Sequence, residues 1–331
     1  MSPEAALARA ASEGIHRLAI PTPFAVGRVN CYLIEDEPLT LLDTGPNSGK
    51  ALDELQRQLG DRGHSIDDLE LVILTHQHID HLGLVEIIVE HSGAEVAAID
   101  AAVRRLANFA EDAELDDEFS AELMLRNGIP ENVVIALQGV SRSFRAWGSR
   151  ARVTRPLRDG ELLELRDRRL EVMHRPGHSP SDTVFWDASR RILFAADHLL
   201  PTISSNPLIS RPLDGSGERT QALASYIDSL RRTRELPAAI VLPGHGDPIT
   251  DHVGLIDERL VKTERRKQKI LGLVRERPRT GHEIAQELWG NVAVTQAFLT
   301  LSEVIGHLDL LRNDGLVEEM QDGEVIRYRA A

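Results

Sequence analysis

Four potential metal ligands fall within six residues in Thr75-His76-Gln77-His78-Ile79-Asp80-His81-Leu82-Gly83. They follow Leu69–Thr75, a largely apolar run that reads as a buried strand. Such a cluster at the C-terminal edge of a strand occupies the crevice where open α/β sheets place their ligands. Imidazoles and a carboxylate suit zinc, manganese or iron, and the lack of thiolates argues against a closed structural zinc. The motif therefore constrains the fold: the chain must present a strand end, and the remaining ligands must arrive beside it.

Three candidates do so in strand-to-turn contexts. His178 lies in Pro176-Gly177-His178-Ser179, after a strand ending at His174; Asp197 follows the apolar strand Ile192–Ala196. His245 lies in Pro243-Gly244-His245-Gly246, after Ile240–Leu242. Glycine beside each histidine lets the backbone turn sharply and approach an ion. Five histidines and two aspartates at strand ends supply two metals, with one carboxylate shared.

The surrounding pattern is α/β. Short strand-like runs at 15–20, 30–35 and 39–43 precede a helical pattern from Ser48 to Leu59. Strands resume at 162–165, 170–174, 183–187, 191–196 and 239–242. Between them a segment at about 101–150 lacks strand signals and reads as a helical insertion, with helices at Ala101–Asn108 and Asp116–Asn127, the second stopped by Gly128 and Pro130. After Pro248 the texture turns helical from about Asp251 to Arg277. Gly281–Leu288, a helix over about 301–312 and two strands around Asp322-Gly323 follow, which is the order of a winged helix. The expected division is a metal domain over 1–258 and a winged-helix-like domain over 259–331.

Composition removes other classes. The chain has 331 residues and a net charge of −14, so its mean field opposes general binding to nucleic acid or anionic membranes. From Val261 onward 11 basic residues balance 11 acidic ones, which places the whole excess in the metal domain. No apolar stretch reaches the roughly 20 residues of a membrane span. Met1-Ser2-Pro3-Glu4 lacks the pattern of a secretory leader. Cys31 is the single cysteine and permits no intramolecular disulfide, which fits a cytoplasmic location.

His-x-His-x-Asp-His followed by His, Asp and His resembles the pattern of the metallo-β-lactamase superfamily, over about residues 13–250. The resemblance implies an αββα sandwich with a dinuclear site at one edge. It implies that His76, His78 and His178 hold one metal, Asp80, His81 and His245 the second, and that Asp197 bridges. Asp43 in Leu42-Asp43-Thr44-Gly45 matches the family's Asp-x-Gly turn and would support the ligands. Two divalent ions, zinc foremost with manganese or iron as alternatives, would generate a bridging hydroxide that Asp80 orients as the catalytic residue. His78 stands where the diiron flavoprotein branch carries Glu, which favours hydrolysis over oxygen reduction. The terminal winged helix is similar to that of the glyoxalase-II-like branch, which also contains a single-strand endoribonuclease. Ser181-Asp182 departs from the Gly that many relatives carry after Pro180. The implied activity is cleavage of an ester or thioester of a small anionic molecule; the alternative is a phosphodiesterase or endoribonuclease acting on single-stranded RNA.

Substrate contacts are less defined. His198 follows Asp197 and could reach a leaving group, or simply bond nearby backbone. Asn206 belongs to the polar segment Pro201–Pro207, a candidate pocket lining. Arg175 stands near His178. Arg142, Arg145, Arg150, Arg152, Arg155 and Arg158 form a run that could hold a phosphate or be a solvated loop. A DNA reader would carry basic residues on its recognition helix, but 301–314 offers Glu303, Asp309 and Asp314 against Arg312. Interaction or homo-oligomer formation is the better reading of that domain, and counts against a ligand-sensing transcription regulator.

Overall fold

The computed structural model describes residues 1–216 and 219–331. Strands β1 (Ile15–Ile20), β2 (Val29–Ile34), β3 (Thr40–Leu42), β4 (Leu71–Ile73), β5 (Glu95–Ile99) and β6 (Arg155–Leu157) form one sheet in that order. The first three are antiparallel neighbours, and β3 to β6 run parallel. Strands β7 (Leu162–Glu164), β8 (Arg169–His174), β9 (Thr183–Asp187), β10 (Ile192–Ala196) and β11 (Ile240–Pro243) form the second, in the order β11-β10-β9-β8-β7.

Strand periodicity explains how the sheets stack. On β10, Ile192 and Phe194 enter the core shared with the first sheet. Leu193 and Ala195 point the other way, into a core closed by helices Ala222–Arg234 and His252–Glu276. Strands buried on both faces read as continuous apolar runs, which is how β10 and β11 look in the sequence. Helices Pro3–Ser12, Gly49–Gly60 and Val85–Ser92 pack on the first sheet through Ala6, Leu55 and Ile88. The second begins where Ser48 Oγ accepts the Ala51 N–H at 3.1 Å. The layers are helix, sheet, sheet, helix.

Topology gathers the chemistry. Strands β8, β10 and β11 run in one direction, so the turns after them emerge at one edge. Strands β3 and β4 are likewise parallel and end together, carrying Asp43 and His76.

The insertion is more helical than its sequence suggests. Its helices are Val103–Ala107, Phe109–Arg126 and Glu131–Phe144. The middle one begins seven residues before the expected Asp116, and the last was not expected. Gly128, at φ 85°, does end a helix, but Pro130 at φ −59° starts the next one, where its missing N–H costs nothing.

Helix His252–Glu276 runs unbroken through residue 258. Beyond it come β12 (Arg279–Thr280), helices Gly281–Trp289, Val292–Thr295 and Ala297–Asn313, and β13 (Val317–Asp322) and β14 (Val325–Ala330), with sheet order β12-β14-β13. Thr280 and Glu283 cap the first of these helices reciprocally. These elements share a core of Ile270, Val274, Ile284, Leu308 and Tyr328. Helix Ala297–Asn313 also packs Leu301 and Ile305 against Met124, Ile129 and Val134 of the insertion. The acids expected to leave it a negative outer face are paired: Glu303 with Arg266, Asp309 with Arg219 and Asp314 with Lys267. Among the described residues no helix is long and apolar enough to cross a membrane.

Candidate metal centre

All seven sequence-predicted ligands meet at the shared edge. His76 Nε2 and His178 Nε2 lie 3.0 and 2.9 Å from His78 Nδ1. Asp80, His81 and His245 form a second group, with His245 Nε2 at 3.3 Å from Asp80 Oδ2. Asp197 stands between them: its oxygens are 3.4 Å from His81 Nε2 and 3.6 Å from both His178 Nε2 and His245 Nε2.

The outer nitrogens are held by the fold. His178 Nδ1 is 3.1 Å from the Asn206 carbonyl oxygen, and His245 Nδ1 is 2.8 Å from that of Arg28. A carbonyl only accepts, so each of these rings donates through Nδ1–H and turns its Nε2 inward. Asp43 governs the rest. Its fully buried carboxylate accepts the Thr75 N–H and hydroxyl at 2.9 and 2.8 Å, and His81 Nδ1–H at 2.8 Å. Thr75 Oγ1 in turn meets His76 Nδ1 at 3.0 Å, so one aspartate orients a histidine in each group. Asp43 has φ 58° and Ala196, just before Asp197, has φ 43°. Both are non-glycine residues in the left-handed region, a strain that the surrounding structure must hold in place.

The donors fit divalent cations. His81 Nε2 and Asp197 Oδ1 are buried without a hydrogen-bond partner, and each such group costs about 1–3 kcal/mol when left unmet. Burial and the neighbouring imidazoles hold His76 well below the usual histidine range and push His78 down to about 3, so both stand neutral as ligands must. Burial opposes charge on His81, but Asp197, Asp43 and Asp80 outweigh it and raise its pKa. Burial likewise opposes charge on Asp197, yet His81 and His245 keep its carboxyl well below the usual range.

Gly244 is required by close approach. A Cβ there would fall inside contact distance of Asp197 Oδ1 and 2.9 Å from His81 Cε1. Gly244→Ala is therefore expected to weaken metal binding at least tenfold by displacing ligands, as loss of ligand support commonly does. Metal titration read beside a thermal melt checks this; unchanged affinity would contradict it.

Five of the seven residues, His78, Asp80, His178, Asp197 and His245, line a cavity of about 690 Å³. Asn206 also lies on this wall. Arg175 and His198 do not, and both expectations are corrected. Arg175 is buried with its guanidinium at 3.0 Å from the His174 carbonyl. His198 faces helix Ala222–Arg234, with Nε2 2.9 Å from Thr233 Oγ1, and burial pushes its pKa down to about 3. Of the arginine run only Arg145 reaches the wall, where Asp117 holds it; Arg150 pairs with Glu86 instead. Ser181-Asp182 packs the ligand loop: Asp182 Oδ2 accepts the Ser179 N–H at 2.9 Å, and Ser181 bonds Gln77. Residues not anticipated on the wall are five phenylalanines scattered from Phe24 to Phe298, for which no local pattern gives a signal.

A layered α/β fold with a strand-edge cluster of histidines and aspartates defines a metallo-hydrolase. The chain belongs to the metallo-beta-lactamase superfamily, whose sequence model matches residues 25–245. It is 32% identical to the "Probable metallo-hydrolase YqjP" of Bacillus subtilis, over 96% of this chain and 98% of that protein. It is 31% identical over 134 residues to the human "Acyl-coenzyme A thioesterase MBLAC2", covering 38% of this chain and 40% of that one. A crystal structure of a metallo-beta-lactamase family protein from Thermus thermophilus superposes with a TM-score of 0.80 at 28% identity, covering 96% and 99% of the two chains.

Proposed function

We propose that this protein is a dinuclear metal hydrolase that cleaves a thioester or ester of a small molecule. The observation that carries this reading is the pair of ligand groups, sharing Asp197, on the wall of one cavity. His76, His78 and His178 would hold one ion, Asp80, His81 and His245 the other, with Asp197 between. Bound divalent ions, zinc being the expected choice, supply Lewis-acid polarisation and lower the pKa of water.

The protein's own residues do the rest. Asp43 and the carbonyls of Arg28 and Asn206 fix the imidazole tautomers before anything binds. Asp80 presents a carboxylate to the cavity, positioned to orient an attacking water and accept its proton. Burial raises its pKa, but His81 and His245 outweigh this and keep it ionised. The likeness to an acyl-coenzyme A thioesterase supports acyl transfer to water over phosphoryl chemistry.

We read residues 259–331 as a winged-helix-like module that serves as a wall of the site. Its element order and three-stranded sheet support the first half of that reading, and Phe298 and Leu299 on the cavity wall support the second. Thioesters assayed against single-stranded RNA on zinc- and manganese-loaded protein separate the two enzyme readings. Metal-dependent thioester cleavage is expected; RNA cleavage alone would favour the phosphodiesterase.

A further inference from the structure

We infer that the group cleaved from the substrate is an apolar acyl chain, seated in the phenylalanine-lined half of the metal cavity. This rests on the hydrolase reading above and adds the substrate's chemistry to it. The chain is poor in aromatics, at 4%, yet five of its seven phenylalanines line this one cavity: Phe24, Phe109, Phe119, Phe144 and Phe298. All five are only partly buried, whereas Phe185 and Phe194 in the core are fully buried. Large apolar rings left open around a concave site mark a surface made to be covered.

Several separate parts of the chain converge on this lining. Helix Phe109–Arg126 contributes Phe109, Ala113 and Phe119, a stripe of about 15 Å at 1.5 Å per residue. The segment after Asp197 adds Leu200, Ile203 and Leu208, and helix Ala297–Asn313 adds Phe298 and Leu299. Phe24 and Phe144 meet edge to face, with centroids 5.4 Å apart. The charged side chains on the wall already have partners: Arg105 with Asp116 at 2.6 Å, Arg145 with Asp117, and Asp112 with Arg211 at 3.0 Å. Each wall arginine already faces a carboxylate of the protein, which disfavours an anionic substrate group there. A cavity of about 690 Å³ also exceeds what an acetyl group fills.

Asn206 joins the two halves. Its carbonyl accepts from His178 Nδ1, and its side-chain amide donates to the Leu299 carbonyl at 3.0 Å. The C-terminal helix thus fixes both the acyl wall and one ligand ring. In the reaction water adds to the acyl carbonyl carbon and the C–S or C–O bond breaks. The products are a carboxylic acid and a thiol or alcohol, with no change of oxidation state.

The test uses the metal-loaded full chain and two readouts. In the first, kcat/KM is measured for N-acetylcysteamine thioesters from acetyl to dodecanoyl. In the second, binding of dodecanoate and of acetate is measured by calorimetry. The inference expects kcat/KM to rise about a hundredfold along the series, and dodecanoate to bind where acetate does not. Phe119→Ala and, from the C-terminal helix, Phe298→Ala should each shrink the dodecanoyl-to-acetyl ratio about tenfold, with a thermal melt confirming the fold. Turnover that is flat with length, or fastest for acetyl, would overturn the inference and leave the hydrolase reading intact. Dodecanoate binding without turnover of any thioester or ester would instead remove the hydrolase reading and keep the apolar seat.

Discussion

Asp80→Ala is expected to lower kcat/KM for hydrolysis by about 10²–10⁴-fold, the usual contribution of a positioned general base. Asp80 lies in the first turn of the short helix Ile79–Leu82, is on the cavity wall and stands 3.3 Å from His245 Nε2. It is the aspartate of the site with both a place among the ligands of one group alone and a face toward substrate. On the proposed mechanism its loss would remove the carboxylate that aligns water, while His81 and His245 remain. Steady-state kinetics with metal content measured on the same sample checks this. A variant with full rate and full metal would show that Asp80 is not part of the chemistry.

Asp43→Ala should reduce metal affinity or activity by about 10–100-fold, the range found when ligand-orienting partners are removed. It should also destabilise the fold, because three buried donors lose their acceptor at about 1–3 kcal/mol each. The conservative Asp43→Asn separates these effects. An amide fills the same space and can still accept from Thr75, but it no longer offers His81 a carboxylate, so the ring loses its charge-assisted anchor. The expected result is a melt closer to wild type with metal affinity still weakened. If metal binding survived both substitutions, Asp43 would be a packing residue and the coupling of the two ligand groups through Thr75 would fall.

The gathering of these seven residues was legible because they follow strand ends, and strand ends show in sequence as apolar runs meeting Gly, Pro or polar residues. Asp43 was legible through its turn, though its link to His76 runs through Thr75 and needs coordinates to be seen. The substrate side was not legible. His198 and Arg175 are close in sequence to the site, but both lie in the turns after β10 and β8, where no periodicity fixes a side chain's direction, and they bond Thr233 and the His174 carbonyl instead. Of the two readings of the arginine run the solvated one fits: Arg142, Arg150, Arg152 and Arg158 are exposed, and Arg145 and Arg150 pair with different acids. Conversely, the five phenylalanines come from the β1–β2 loop, the insertion and the C-terminal helix, and only tertiary packing unites them. The insertion's third helix was hidden because Pro130 both ends one pattern and begins the next.

The most direct test of the account is the number of metal ions per chain, measured by elemental analysis on protein reconstituted with zinc and freed of excess. Near two are expected for the wild type. His81→Ala, which removes a buried Nε2 aimed at Asp197, should bring the count near one. A correctly folded wild-type chain that binds no divalent metal, or a His81→Ala variant that keeps both ions, would contradict it.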